Sequence, residues 1–409
     1  MIPVIDLDKE YGIVLEGGGA KGAYQVGAWR ALEEAGVKIR GIAGTSVGAL
    51  NGAMMCMDEL DTAEELWKNL TYSQVVDVDD DKMEQLMDRE MPLREFLNAL
   101  FERMGEGGLD VSPLKKLILE VVDEEKILNS PRELYIKTFS VDHFRELDIN
   151  LKEVEPGQMK DYLLASAYIF PLFKNEKLHG KTYIDGGAIN NVPLDSLVDR
   201  GYEDIIVIRI FGIGREKKVR IPENTRILTI EPRVDLGNIM DFNSKKSIRN
   251  MKIGYYDAKR MIYGLKGRIY YIEENQEECY YLNQLLQIPE SVMEKFMDWY
   301  HVREEKRAWI RCMTQIVFPG TALELKLEKD WNYQELYLAC LEATAKICRV
   351  PKYRIYTVEE LRNCVMGRIA RMTQEEKEEL PVFALFFDCG ERENPAVDEE
   401  QDEDEEELL

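Results

Sequence analysis

The stretch YGIVLEGGGAKGAYQVG, residues 11–27, constrains this chain more than any other. Strand-forming residues run into Gly17, Gly18 and Gly19, then Gly22, then a segment suited to a helix. A strand delivered into a glycine-rich turn and out as a helix is the first half of an α/β unit. Gly17, Gly19 and Gly22 also satisfy the G-x-G-x-x-G spacing of a dinucleotide-binding turn. That reading makes a second demand, an acidic residue about 20 positions on, at the end of the next strand, to hold a ribose hydroxyl. The next strand, KIRGIAGT, ends instead at Ser46, and Glu33 and Glu34 fall too early, in the helix between. A phosphate-binding P-loop fails too, because Lys21 is followed by glycine rather than by serine or threonine.

Ser46 stands in Gly44-Thr45-Ser46-Val47-Gly48, a G-x-S-x-G pentapeptide between a strand and a helix. A serine on a sharp strand-to-helix turn has a strained backbone, and flanking glycines let chain and substrate approach closely. Its hydroxyl then projects at a helix N-terminus, where developing negative charge is favoured. Acyl transfer also needs preorganised N–H donors for an oxyanion. Gly17, Gly18 and Gly19 at the end of the neighbouring strand are the candidate donors. A serine nucleophile needs a base, and the chain has only His143, His179 and His301. None stands in a supporting motif. TYIDGGAINNVP instead puts Asp185 at a strand end before Gly186 and Gly187, where a carboxylate can take the serine proton directly.

EGGGAKGAYQVGAWRALEEAGV, GTSVGALNGAM and DGGAINNVP together resemble the three signature blocks of the patatin-like phospholipases. The resemblance implies a Ser46–Asp185 dyad in place of a triad. It places the oxyanion block at Gly17, Gly18, Gly19 and Gly22, the elbow at Ser46 and the D-G-G block at Asp185, Gly186 and Gly187. Asn191 and Pro193 match the usual continuation, and ASAYIFPLF (165–173) resembles a further block with altered proline spacing. Lys21 stands where many members carry arginine, and reads as a loop-fixing or surface charge. The resemblance covers residues 7 to 272. It implies an α/β fold, a three-layer patatin-like sheet with helices on both faces, acting on lipid or other fatty-acyl esters without a cofactor or metal.

Coarse periodicity agrees with that class. Strands are expected at 11–16, 38–45, 133–142 and 144–151, and again in KTYIDGG, EDIIVIRIFG and RILTIEP. Helices are expected at 22–35, 47–57 and 241–264, with further helical segments between 61 and 123. Met54, Met55 and Met57, on the helix after the elbow, read as core. After residue 273 aromatic and charged helical patterns take over. The expected division is a hydrolase domain at 7–273, a mostly helical accessory region at 274–390 and an acidic disordered tail at 391–409. PVFALFFDC (381–389) reads as a late strand or a buried helix.

The formal charge is -24, of which the tail from Glu391 carries -10 (eleven acids, one arginine), leaving -14 on the rest. Such a surface excludes bulk electrostatic attraction to nucleic acid or an anionic membrane. Transient contact with a membrane surface or micelle therefore has to be local and hydrophobic. No segment reads as membrane-spanning, MIPVIDLDKE lacks the pattern of a signal peptide, and seven scattered cysteines read as free buried thiols. The expected location is the cytoplasm. Two other classes stay open at this stage. A nucleotide-dependent oxidoreductase would bind NADH tightly, and a non-catalytic scaffold would recruit a partner through residues 274–409.

Overall fold

The computed structural model of the chain describes residues 1–87, 108–169, 172–174, 177–302 and 309–388. The expected acidic tail, Phe170 and Pro171 of the ASAYIFPLF block, and residues 88–107 of the helical stretch lie outside them. The chain divides into two compact units, Ile2–Tyr263 and a second from Gly264 onward.

The first unit is built on one sheet. Five strands run parallel: β1 (Glu10–Leu15), β2 (Lys38–Thr45), β3 (Glu133–Ser140), β6 (Asp204–Ile208) and β7 (Arg226–Ile230). Their order is β3-β2-β1-β6-β7, with β4 (Arg145–Asn150) antiparallel on the outer side of β3. The short β5 (Tyr183–Asp185) also pairs antiparallel with β3. Central parallel strands are covered on both faces, so they are apolar throughout, as IVL in β1 and IIVI in β6 are. Side chains alternate along a strand. Val14 and Ala43 join Leu197 and Tyr202 in one buried cluster. Ile42 and Leu15, of opposite parity, face helix α2 (Val47–Met57) near Gly52. Those two coverings make the three layers. The helix Ser244–Tyr263 packs along α1 (Ala23–Glu34) and closes the unit, where the sequence places it.

Strand order sets where chemistry can occur. β1 leads to β2 on one side and has β6 on the other, so the chain reverses direction around β1. In open parallel sheets the crevice at the carboxyl ends of such strands is the usual ligand site. The loops after β1, β2 and β6 all start at that edge. β3 also carries a buried cation there. The Lys137 ammonium, 2% exposed, lies 3.1 Å from Asp195, 3.3 Å from Glu146 and 3.4 Å from Asp148.

The second unit is mostly helical. Its longest helices are Tyr333–Ile347 and Val358–Arg371, each opened by a capping box, at Asn332 and Thr357. β8 (Tyr271–Glu273) pairs with β9 (Ile355–Thr357), so the compact unit begins before the boundary expected at 273/274. Val382–Phe387 is a buried 3-10 helix rather than a strand or α-helix. Its core is aromatic, with Tyr270, Tyr281, Phe296, Phe318 and Tyr337 buried together. Of the described cysteines, four are buried, Cys364 is half-buried and Cys279 is exposed, against the expectation that all are buried. Among the described residues no helix is long and apolar enough to cross a membrane.

Candidate active site

Ser46 is the residue at which β2 ends and α2 begins. Its φ of 56° and ψ of -126° are unusual for a side chain, and such conformations persist only where neighbours hold them. The holding contacts are visible. The Ser46 N–H donates to Ser166 Oγ at 2.9 Å, and that hydroxyl donates to the Lys137 carbonyl at 2.7 Å. Thr45 Oγ1 donates to the Asn190 carbonyl at 3.0 Å. The elbow glycines answer to close approach. A methyl group at Gly44 would sit 2.3 Å from the Gly48 carbonyl oxygen, and one at Gly48 2.3 Å from that of Leu15.

Asp185 arrives from the opposite direction. Thr45 at the end of β2 is in register with Lys137, and Asp185 at the end of β5 is in register with Thr138. β4 occupies one edge of β3 along residues 135–140, so β2 and β5 share the other edge. The two strands therefore meet head-on, and Ser46 and Asp185 stand where they meet. Asp185 is 8% exposed, and burial pushes its carboxyl up to about 6. Hydrogen bonding from the Ser46 hydroxyl and from the Gly187 N–H, 2.6 Å away, holds that rise back. A carboxyl in that range is poised for proton transfer near neutral pH.

The glycine loop departs from expectation at one position. The Gly17 N–H donates to the Asn191 carbonyl at 3.1 Å, so it is not free to meet an oxyanion. Asn191 also donates from Nδ2 to the Gly17 carbonyl at 2.9 Å, fixing that peptide from both sides. The remaining candidate donors are Gly18 and Gly19, whose N–H groups meet no acceptor among the described residues. Gly19 has a φ of 56°, which suits glycine, and it lines the same cavity as Ser46. Gly22 closes the 3-10 turn and offers its carbonyl to Asn51 Nδ2 at 3.0 Å. Gly186 and Gly187 begin the turn after Asp185. Lys21 fixes the loop, donating from Nζ to the Phe211 carbonyl at 3.1 Å.

An apolar cavity of about 100 Å³ opens beside Ser46. Val47, Leu50, Asn51 and Met54 line it from α2, the i, i+3, i+4, i+7 face of that helix. Trp67, Ile118, Val121 and Val122, Ile169 and Phe173, and Ile239 and Met240 form other walls. Met54 is thus a cavity wall as well as a core residue. The cavity follows α2 for eight residues, about 12 Å at the helical rise of ~1.5 Å per residue. Met54 is the last residue of α2 that lines it.

No histidine lines the cavity. His179 Nε2 lies 2.9 Å from Asp161 Oδ2, and His143 and His301 are exposed. Three supports lie within the sequence blocks but have no role that residue type or spacing reveals. Ser166 holds the elbow. Glu16, 2% exposed, accepts from the N–H groups of Ile210 (2.8 Å) and Phe211 (3.0 Å) and from Arg209 Nε (3.0 Å). Asn51 links Gly22 to Trp67, whose indole donates to Asn51 Oδ1 at 3.0 Å.

Part of the chain is similar to known proteins. Residues 13–198 match the family described as "Patatin-like phospholipase". The chain is 26% identical to neuropathy target esterase sws of Drosophila melanogaster over 215 residues, 49% of this chain and 13% of that protein. It is 27% identical to human patatin-like phospholipase domain-containing protein 6 over 210 residues, 48% of this chain and 13% of that one. Lysophospholipase nte1 of Aspergillus terreus shares 56% identity over 50 residues, 12% of this chain and 3% of that protein. The chain thus spans about one-eighth of the length of the curated relatives it matches over some 200 residues. Among solved structures, VipD from Legionella pneumophila superposes with a TM-score of 0.39 and 14% identity, covering 92% of this chain and 83% of that one.

Proposed function

We propose that the chain is a lipolytic serine hydrolase that cleaves fatty-acyl esters through a Ser46–Asp185 dyad, a reading supported by the match of residues 13–198 to the patatin-like phospholipase family. The observation that carries this is the head-on meeting of β2 and β5, which sets a strained, buried serine and a buried carboxylate beside an apolar cavity. Asp185 takes the Ser46 proton as Oγ attacks the ester carbonyl. The tetrahedral oxygen gains its negative charge beside the Gly18 and Gly19 N–H groups. Collapse expels the alcohol, which receives the proton from Asp185, and leaves an acyl-Ser46 ester. Asp185 then takes a proton from water, the hydroxide adds to that ester, and the fatty acid departs as Ser46 recovers its proton.

The cavity supports an acyl chain as the group bound. Its walls are apolar, and it runs along α2 from Ser46 itself. Phospholipids and lysophospholipids are the substrate classes this reading favours, in line with the names of the relatives.

A fluorophosphonate probe tests the nucleophile. The wild-type chain is expected to be labelled covalently and Ser46→Ala to stay unlabelled. Labelling that survives in Ser46→Ala sinks the assignment.

A further inference from the structure

We propose that the loop Arg209–Arg220 is a docking surface for an anionic lipid bilayer, holding the mouth of the Ser46 site against the lipid. The proposal deepens the lipid reading above and rests on it only for the purpose of docking; the binding itself is separable from catalysis.

The loop RIFGIGREKKVR follows β6 and carries five basic residues and one acidic residue in a chain of net charge -24. Arg209 is paired with Glu16 and Glu216, and Lys217 with Asp195 and Glu146. Arg215, Lys218 and Arg220 are exposed and have no ion pair among the described residues. The contact expected from sequence, local and hydrophobic, is thus joined by local positive charge that the overall composition hides.

The same loop displays apolar side chains. Phe211 is 50% exposed and Ile213 57% exposed. Phe211 has a φ of 47°, a left-handed conformation that is unfavourable for a bulky residue. It is held there from both sides, its N–H donating to Glu16 and its carbonyl accepting from Lys21. The contacts fix the backbone and leave the ring half exposed, with the Arg209 guanidinium 5.4 Å from its centroid. Such strain at a displayed residue points to a role for the display.

The loop is also seated on the candidate machinery. A methyl group at Gly212 would lie 1.8 Å from the Gly17 carbonyl oxygen, and one at Gly214 2.6 Å from that of Gly187. The Arg215 N–H donates to the Gly187 carbonyl at 2.9 Å. The loop therefore touches the glycine turn and the Asp185 turn together. Aromatic and aliphatic side chains beside unpaired arginine and lysine are the combination that binds an anionic membrane interface. An acidic protein surface would match the charges but gives no use to the exposed apolar side chains of Phe211 and Ile213 on a loop that touches the glycine turn.

Cosedimentation of the full chain with vesicles tests this. Wild type is expected to pellet with phosphatidylcholine–phosphatidylserine vesicles, to pellet far less with phosphatidylcholine alone, and to be released by salt. Ile213→Ser, and separately Lys218→Glu with Arg220→Glu, all at exposed positions with no printed contact to the glycine turn or the Asp185 turn, should each lower vesicle affinity severalfold or more. Both variants should keep wild-type rates on a soluble short-chain ester, which reports that they are folded. Ser46→Ala should bind vesicles as wild type does, so a failed catalytic reading leaves the binding result intact. Equal pelleting of wild type and both variants overturns the proposal. So does wild type that ignores phosphatidylserine, a result that turns the loop toward an acidic protein partner.

Discussion

Glu16 in the first unit and Glu342 in the second are both almost wholly buried, at 2% and 3% exposure. Both turn their oxygens to backbone N–H groups of a loop. Glu16 receives Ile210 and Phe211, and Glu342 receives Arg268 at 2.9 Å, Ile269 at 2.8 Å and Tyr270 at 2.7 Å. Their surroundings differ. The loop at Glu342 leads into β8 and an apolar core, and the second unit's other described buried polar residues are Thr321 and Thr344. The loop at Glu16 presses on the glycine turn, within a unit that buries Gln25, Ser46, Asn51, Ser166, Asp185 and Asn191. Burying polar groups is costly unless each finds a partner. A unit that does so many times around one cleft is built for something other than stability. The same glutamate clamp braces an apolar core in one unit and, in the function proposed above, the glycine turn of the active site in the other.

The sharpest way to break that contrast is Asp185→Asn. Activity should fall about 10³- to 10⁴-fold, as in other hydrolases that lose the group serving the nucleophile. Stability should hold or rise. The folded carboxyl sits at about 6 against an ordinary 3.8, so the unfolded chain releases its proton first. Stability then falls as pH rises from about 4 to 6, by about 3 kcal/mol in all. Asparagine removes that loss, so thermal melts above pH 6 should show a variant at least as stable as wild type. The proton must be off for Asp185 to act as base, so wild-type kcat/KM should drop tenfold per pH unit below about 6. A destabilised, active Asp185→Asn would place this carboxylate with Glu342, as structure only.

Glu16→Gln and Glu342→Gln test the two clamps side by side. Each should cost about 2–3 kcal/mol by denaturant melts, because a charged acceptor of buried N–H groups is lost. Only Glu16→Gln should also slow ester hydrolysis, by roughly tenfold to a hundredfold, through the glycine turn it supports. Equal slowing by both would erase the distinction drawn between the units.

The smallest effect belongs to the cavity wall. Met54→Trp fills the far end, and should shift the kcat/KM ratio of short to long acyl esters by about tenfold toward the short. Labelling of Ser46 should be unchanged. A uniform loss across chain lengths would return Met54 to the core role its sequence suggests.

Much of the first unit was legible because its signals are local. β2 ends at Thr45 as KIRGIAGT implies, and glycines two positions either side of Ser46 mark a turn that tolerates no side chain. What stayed hidden was made by tertiary contact. Nothing in EGGG says that the Gly17 N–H faces Asn191, 174 residues away, while its neighbours do not. Backbone donors leave no trace in residue type. Ser166 sits in ASAYIFPLF with nothing local to give it a role, since its hydroxyl acts only when Lys137 and Ser46 are brought to it. Net charge concealed the Arg209–Arg220 loop for a simpler reason, that a sum over 409 residues hides a patch of twelve.

Ser46 and Asp185 are separated by 139 residues of chain, yet both stand at the ends of strands mounted on neighbouring residues of β3. A rigid displacement of β3 moves both mounts by the same vector. That component is common to the pair and cancels in their separation, whereas motion that bends β3 does not. For the proposed dyad, the tolerance of proton transfer to thermal drift then depends on the stiffness of a single strand, much as two instruments on one rail keep their spacing when the rail moves.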